Sequence, residues 1–98
     1  MSNLVDPKYT DPKSWGPHFW FMMFCIANNY PENPTNTDRN VTHGFFSNMQ
    51  SLIPCNKCKG HYIAYFRSYP ITAKLCCRKC LISWVESLKK NMDAASKK

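Results

Sequence analysis

The sequence predicts a small all-α protein, a bundle of four helices with room for a short fifth turn. Three observations predict it. Apolar residues recur at helical spacing in four separate segments. Pro31, Pro34, Pro54 and Pro70 separate those segments. No stretch alternates polar and apolar residues as a half-buried strand would, and no internal repeat is present. At 98 residues and 44% hydrophobic content the chain is long enough for one core and too short for two. Residues 1–14 read as a flexible N-terminal arm, 15–93 as the helical domain and 94–98 as a frayed basic tail.

The first helix spans 15–30. Trp15, Phe19, Met22, Met23, Ile26 and Tyr30 repeat at helical spacing. Trp20, Phe24 and Ala27 widen the stripe until the helix is apolar nearly all round. Such a helix is central in the bundle or covered in a dimer, because a monomer would expose a large apolar patch. The segment 31–38 breaks it with two prolines and supplies N-cap residues for the next helix. From about 38 to 53, Val41, Phe45, Met49 and Leu52 form a second stripe, joined by Phe46 and Ile53. Pro54 suits a first helical turn and opens a third helix at 55–68, ended by Tyr69-Pro70. A fourth helix covers 73–92 with Leu81, Val85, Leu88 and Met92 on one face.

Thirteen Lys and Arg against six Asp and Glu give a net charge of +7. The charges do not form one block and read as a solvated surface rather than a nucleic-acid face. There is no room for a Rossmann or P-loop domain. The longest apolar run, Phe19 to Ala27, is nine residues and does not span a membrane. No signal peptide is visible, since the first fifteen residues are polar and carry two Asp-Pro pairs. An intracellular protein is expected, and there Cys-x-x-Cys pairs serve metal or redox chemistry more often than structure.

Six cysteines are present: Cys25, Cys55, Cys58, Cys76, Cys77 and Cys80. Cys55-Asn-Lys-Cys58 sits at a helix start, where unpaired N–H groups and the helix dipole favour a thiolate. Lys57 and Lys59 add positive charge. Cys55 is expected to be the more exposed sulfur, with Cys58 inward beside Tyr62 and Tyr65. That arrangement suits dithiol–disulfide exchange. The rival reading pairs Cys55-x2-Cys58 with Cys77-x2-Cys80 as a four-cysteine zinc module, which would suit nucleic-acid binding. Against it, zinc ribbons are mostly strands, and residues 59–69 and 80–92 read as amphipathic helix. His61 lies one turn past Cys58, near its face. His18 and His43 read as ordinary polar groups, and Cys25 as a buried inert thiol.

In order, WGPHFW, ANNYPENPT, LIPCNKCKGHYIAY and RKCLISW resemble the Erv/ALR flavin-linked sulfhydryl oxidases, in the style of the minimal forms encoded by large DNA viruses. The resemblance covers about residues 15–93. It implies a helical bundle holding FAD, dimeric through the first helices, that forms disulfides in a thiol-containing partner protein and passes the electrons to oxygen. No membrane partner is expected from the short apolar runs and a nucleic-acid partner is not favoured; for a viral protein the expected place is the host cytoplasm or virion. Carried over by position, Cys55 exchanges with substrate and Cys58 contacts the flavin ring. Gly16, Trp20, His61 and Tyr65 match flavin-side positions, and Trp84 matches the aromatic near the adenine. Phe24, on the Trp20 stripe expected to line one wall of the cofactor pocket, stands where many relatives have His. Lys89, Lys90, Asn91, Met92 and Asp93 stand where the family usually reads His-Asn-x-Val-Asn. Lys89 and Lys90 then become the candidate contacts to the pyrophosphate, as point charges. The resemblance leaves a flavin-free bundle, acting as a binding protein or thiol carrier, as the alternative. It supplies no role for the cluster Cys76, Cys77 and Cys80.

Overall fold

The structure, a computed structural model, describes residues 6–96. The outermost positions of the expected arm and tail, 1–5 and 97–98, lie outside the described residues. Five α-helices and one 3-10 turn follow in the order α1 (Pro7–Thr10), α2 (Pro12–Asn28), α3 (Asn36–Leu52), α4 (Asn56–Ser68), the 3-10 turn Ile71–Lys74, and α5 (Arg78–Ser96).

The two Asp-Pro pairs are helix starts. Asp6 accepts the Lys8 N–H and Asp11 accepts the Lys13 N–H, each at 3.0 Å, and each is followed by proline at the first helical position. Residues 7–10 and 12–14, expected within an extended arm, are therefore helical. Trp15 Nε1 donates to the Thr10 carbonyl at 3.2 Å and ties α1 to α2. Thr35 and Asp38 form a reciprocal capping box at 3.0 and 2.9 Å that opens α3. Cys55 caps α4, so Pro54 lies outside the helix and not in its first turn. The expected helix over 73–92 divides: a 3-10 turn ends at Lys74, and α5 begins at Arg78 and continues to Ser96.

The core joins Met23 and Ala27 of α2, Phe46 of α3, Tyr62 and Tyr65 of α4, and Leu81, Trp84, Val85 and Leu88 of α5. α5 is the central element and packs against α2, α4 and the 3-10 turn, while α3 packs on α4. α2 is thus peripheral rather than central. Its Phe21 is 71% exposed and its Met22 54% exposed. The α3 stripe is turned from its expected setting. Phe45, Phe46, Met49 and Ile53 face the core, and Val41 and Leu52 face solvent.

Among the described residues no buried side-chain N or O atom lacks a hydrogen-bond partner, as burial demands. Tyr62 Oη donates to the Phe46 carbonyl at 2.7 Å and Tyr30 Oη to the Leu75 carbonyl at 2.7 Å. Trp84 Nε1 donates to the Tyr69 carbonyl at 2.8 Å. Among the described residues no helix is long and apolar enough to cross a membrane.

Candidate active site

Cys55 occupies the N-cap of α4, where a side chain meets the unpaired N–H groups of the first turn. Its Sγ accepts the Cys58 N–H at 3.4 Å. That backbone bond, a further one from the Cys58 thiol and the nearby Lys57 ammonium together hold the Cys55 thiol below its usual range. Burial acts oppositely on Cys58, and with the Cys55 sulfur beside it the Cys58 thiol is pushed up to about 11. Both sulfurs are half-buried. The deeper burial of Cys58 and the hydrogen bonds received by Cys55 together separate the thiolate-forming sulfur from its partner. Both carry free thiols.

Cys58 lines a cavity of about 510 Å³ between the start of α2, the start of α4 and the end of α5. Trp15, Gly16, Phe19 and Trp20 form the α2 wall, Cys58 and His61 the α4 wall, and Lys89, Met92, Asp93 and Ser96 the α5 wall. Phe19 packs edge-to-face on Trp15 and Trp20 at 5.6 and 5.0 Å, which fixes that wall. Lys89 Nζ sits 5.7 Å from the centre of the Trp20 ring and 2.7 Å from the Asp93 carboxylate. At Gly16 a Cβ would meet no heavy atom within 4 Å, so the wall there is backbone facing open space. The size and the mostly apolar lining, with a few convergent polar groups, are those of a small-molecule site.

Of the expected site residues the structure gathers Gly16, Trp20, Cys58, His61 and Lys89 around this cavity. Tyr65, Trp84 and Lys90 line a different one of about 540 Å³, shared with Tyr69, Lys74, Ser83, Ser87 and Asn91. Trp84 is itself buried at the centre of the aromatic core, beside Phe46 and Tyr65. Phe24 packs against the core and lines neither cavity. Trp15, Phe19, Ile53 and Met92 are cavity residues that sequence reasoning assigned to core packing. The i, i+4 pair Trp15 and Phe19, continuing to Trp20, is the signal that points to them. His43 packs edge-on to Phe66, His18 is exposed and Cys25 is half-buried rather than buried.

The four-cysteine set offered by spacing is not assembled. Among the described residues the convergent set is Cys76, Cys77 and Cys80, whose sulfurs lie within 4.8 Å of one another, without Cys55 or Cys58. The two pairs start different helices, α4 and α5, and α4 is a continuous helix rather than a knuckle that could fold back.

The model of the Erv1 / Alr family matches residues 17–97. A probable FAD-linked sulfhydryl oxidase of Acanthamoeba polyphaga mimivirus is 34% identical over 74 residues, 74% of this chain and 52% of that protein. A mitochondrial FAD-linked sulfhydryl oxidase of Schizosaccharomyces pombe is 27% identical over 79 residues, 81% of this chain and 43% of that protein. A protein of Invertebrate iridescent virus 3, named for the same activity, is 34% identical over 55 residues, 56% of this chain and 37% of its own. The chain thus spans about half or less of the length of these relatives. No solved structure matches it.

Proposed function

This chain belongs to the Erv1 / Alr family, and from that premise we propose that it is an FAD-dependent sulfhydryl oxidase acting on a thiol-containing protein. The observation that carries the reading is the position of Cys58. Cys58 lines the aromatic-walled cavity, and its partner Cys55 is the thiol with the lowered pKa at the helix start.

The cavity suits a large planar cofactor. Trp15 and Trp20 offer flat apolar walls, Gly16 leaves bare backbone that a ring can approach closely, and Lys89 offers a cation for a phosphate or ring carbonyl. His61 lies on the same wall as Cys58. When bound, FAD would take the electron pair from the reduced pair and pass it to oxygen, giving hydrogen peroxide. This chain's own residues do the exchange. With Cys55 and Cys58 joined as a disulfide, a substrate thiolate attacks Cys55 Sγ and Cys58 leaves as a thiolate. A second substrate thiolate then attacks the substrate sulfur of the mixed disulfide and releases Cys55. The substrate gains one disulfide, and the Cys55–Cys58 pair gains two electrons. The N-cap position stabilises each thiolate formed at Cys55.

The exposed Phe21 and Met22 on α2 support a homodimer through that helix. Light scattering at micromolar concentration should give twice the chain mass, and a monomer would refute the dimer. A visible absorption spectrum of the purified protein, followed by oxygen uptake with a dithiol, tests the oxidase. One flavin per chain and uptake abolished by Cys58→Ser are expected. Turnover that survives Cys58→Ser would overturn the assignment. The second reading, a flavin-free thiol carrier, is favoured by the 2.7 Å pairing of Lys89 with Asp93, which offsets the cation a phosphate would need. A colourless protein that still exchanges thiols through Cys55 would establish it.

A further inference from the structure

The cluster Cys76, Cys77 and Cys80 takes no part in the chemistry proposed above. It sits where the 3-10 turn gives way to α5, with Cys80 in the first turn of that helix. Cys80 Sγ is 3.1 Å from Cys76 Sγ and 3.3 Å from Cys77 Sγ, and the three sulfurs lie within 4.8 Å of one another. Cys76 is exposed, and Cys77 and Cys80 are half-buried.

We propose that these three cysteines form a binding site for a thiophilic d10 cation, Zn²⁺ or an ion of like softness, with three protein thiolates and one position left for an exogenous ligand. Three arguments carry it. The first is number. A disulfide joins two of the three sulfurs and strands the third, whereas one ion engages all three. The second is distance. Zinc–sulfur bonds of about 2.3 Å place tetrahedral sulfurs about 3.8 Å apart. The two spacings to Cys80, 3.1 and 3.3 Å, fall about half an ångström short of that value, an adjustment that small side-chain rotations, above all of the exposed Cys76, can make. The third is preorganisation. The residues on both sides are fixed in the core: Leu75 and Leu81 are buried, Tyr30 Oη holds the Leu75 carbonyl, and Arg78 Nε donates to the Tyr30 carbonyl at 2.6 Å. The ligands therefore do not have to be gathered from a loose loop. The start of α5, with its N–H groups, and the flanking Arg78 and Lys79 offset the excess negative charge of three thiolates around a divalent ion.

The open fourth position sets the site apart from a closed structural zinc centre, which takes four protein ligands. Among the described residues no fourth His, Cys, Asp or Glu joins the three. A small thiol or a cysteine of another protein is the ligand chemistry that would complete it.

The test uses the full chain, reduced and kept from air, titrated with Zn²⁺ against a chromophoric chelator. A Cys55→Ser/Cys58→Ser variant removes the other sulfur pair. One tight equivalent is expected in both proteins. Cys80→Ser should weaken binding by more than about 100-fold, since loss of even a supporting outer group costs about 10–100-fold. Cys76→Ser should weaken it likewise; because Cys76 is exposed, that variant should keep the helical circular-dichroism signal. Co²⁺ in place of Zn²⁺ should give the sulfur-to-metal charge-transfer absorption of a thiolate site. One equivalent surviving in Cys76→Ser/Cys77→Ser/Cys80→Ser, or no retention against the chelator, would overturn the proposal. So would a disulfide from Cys80 to Cys76 or Cys77 in the native protein, mapped by mass spectrometry. Neither result bears on the Cys55–Cys58 oxidase, which the double serine variant separates from this site.

Discussion

Substituting Gly16 separates the stability of α2 from occupancy of the cavity it lines. Gly16 lies within α2, and a Cβ there meets nothing within 4 Å. Gly16→Ala therefore carries no steric cost and gains the helix propensity that glycine lacks, about 0.5–1 kcal/mol. For a domain of this size about 1 kcal/mol corresponds to a rise in Tm of roughly 4–8 °C. The measurement is thermal unfolding of flavin-free protein followed by circular dichroism, because a bound ligand would add its own stabilisation. Gly16→Leu keeps most of the propensity gain but sends a branched side chain into the space between Trp20 and the α5 wall. Its free protein should be at least as stable as the parent, and its FAD affinity should fall by about tenfold or more, which is about 1.4 kcal/mol. A fall in Tm for Gly16→Ala would refute the helix and the open space beside it. Undiminished FAD affinity in Gly16→Leu would refute the cavity as the flavin site.

Other outcomes follow from the same geometry. The lowered Cys55 pKa means more thiolate at any given pH, so Cys55 alkylation by iodoacetamide should reach half its maximal rate below pH 9.0, the ordinary thiol value. Cys58 should do so only near pH 11, and mass mapping at pH 8 should find Cys55 modified first. Leu88→Ala, at a fully buried position in α5, should cost about 2–5 kcal/mol in urea unfolding. Thr35→Ala breaks the capping box of α3 and should cost about 0.5–2 kcal/mol in the same assay.

The long helices were legible because each buries one stripe, and Leu81, Val85 and Leu88 are where the period of α5 puts them. The stripe of α3 was less legible. Val41 and Leu52 satisfy a helical repeat as well as Phe46 and Ile53 do, and only the neighbouring α4 decides which set turns inward. The Asp-Pro starts of α1 and α2 were readable as caps, but their polar surroundings resembled an arm. In the site, the Cys55–Cys58 pair declared itself by spacing and by the helix start. The cavity beside it did not, because its walls come from residues as distant as Trp15 and Met92. Trp84 belongs to the core and lines the second cavity as well, a double placement that position in the sequence does not tell. Its ring is enclosed by Phe46, Tyr65 and Phe66 and its N–H is committed to the Tyr69 carbonyl.

The same tie has a kinetic consequence. The connection from α4 to α5 is short and mostly irregular, the kind of segment whose amides ordinarily exchange with solvent through small local openings. Here Trp84 grips its first carbonyl, at Tyr69, and Tyr30 grips one near its end, at Leu75, while Ile71 and Leu75 are buried between. Releasing the connection requires the aromatic centre of the bundle and the exit of α2 to let go together. The protected amides of Ile71–Leu75 should therefore exchange with the slow class of the core helices, so that the turn opens only when the whole bundle does.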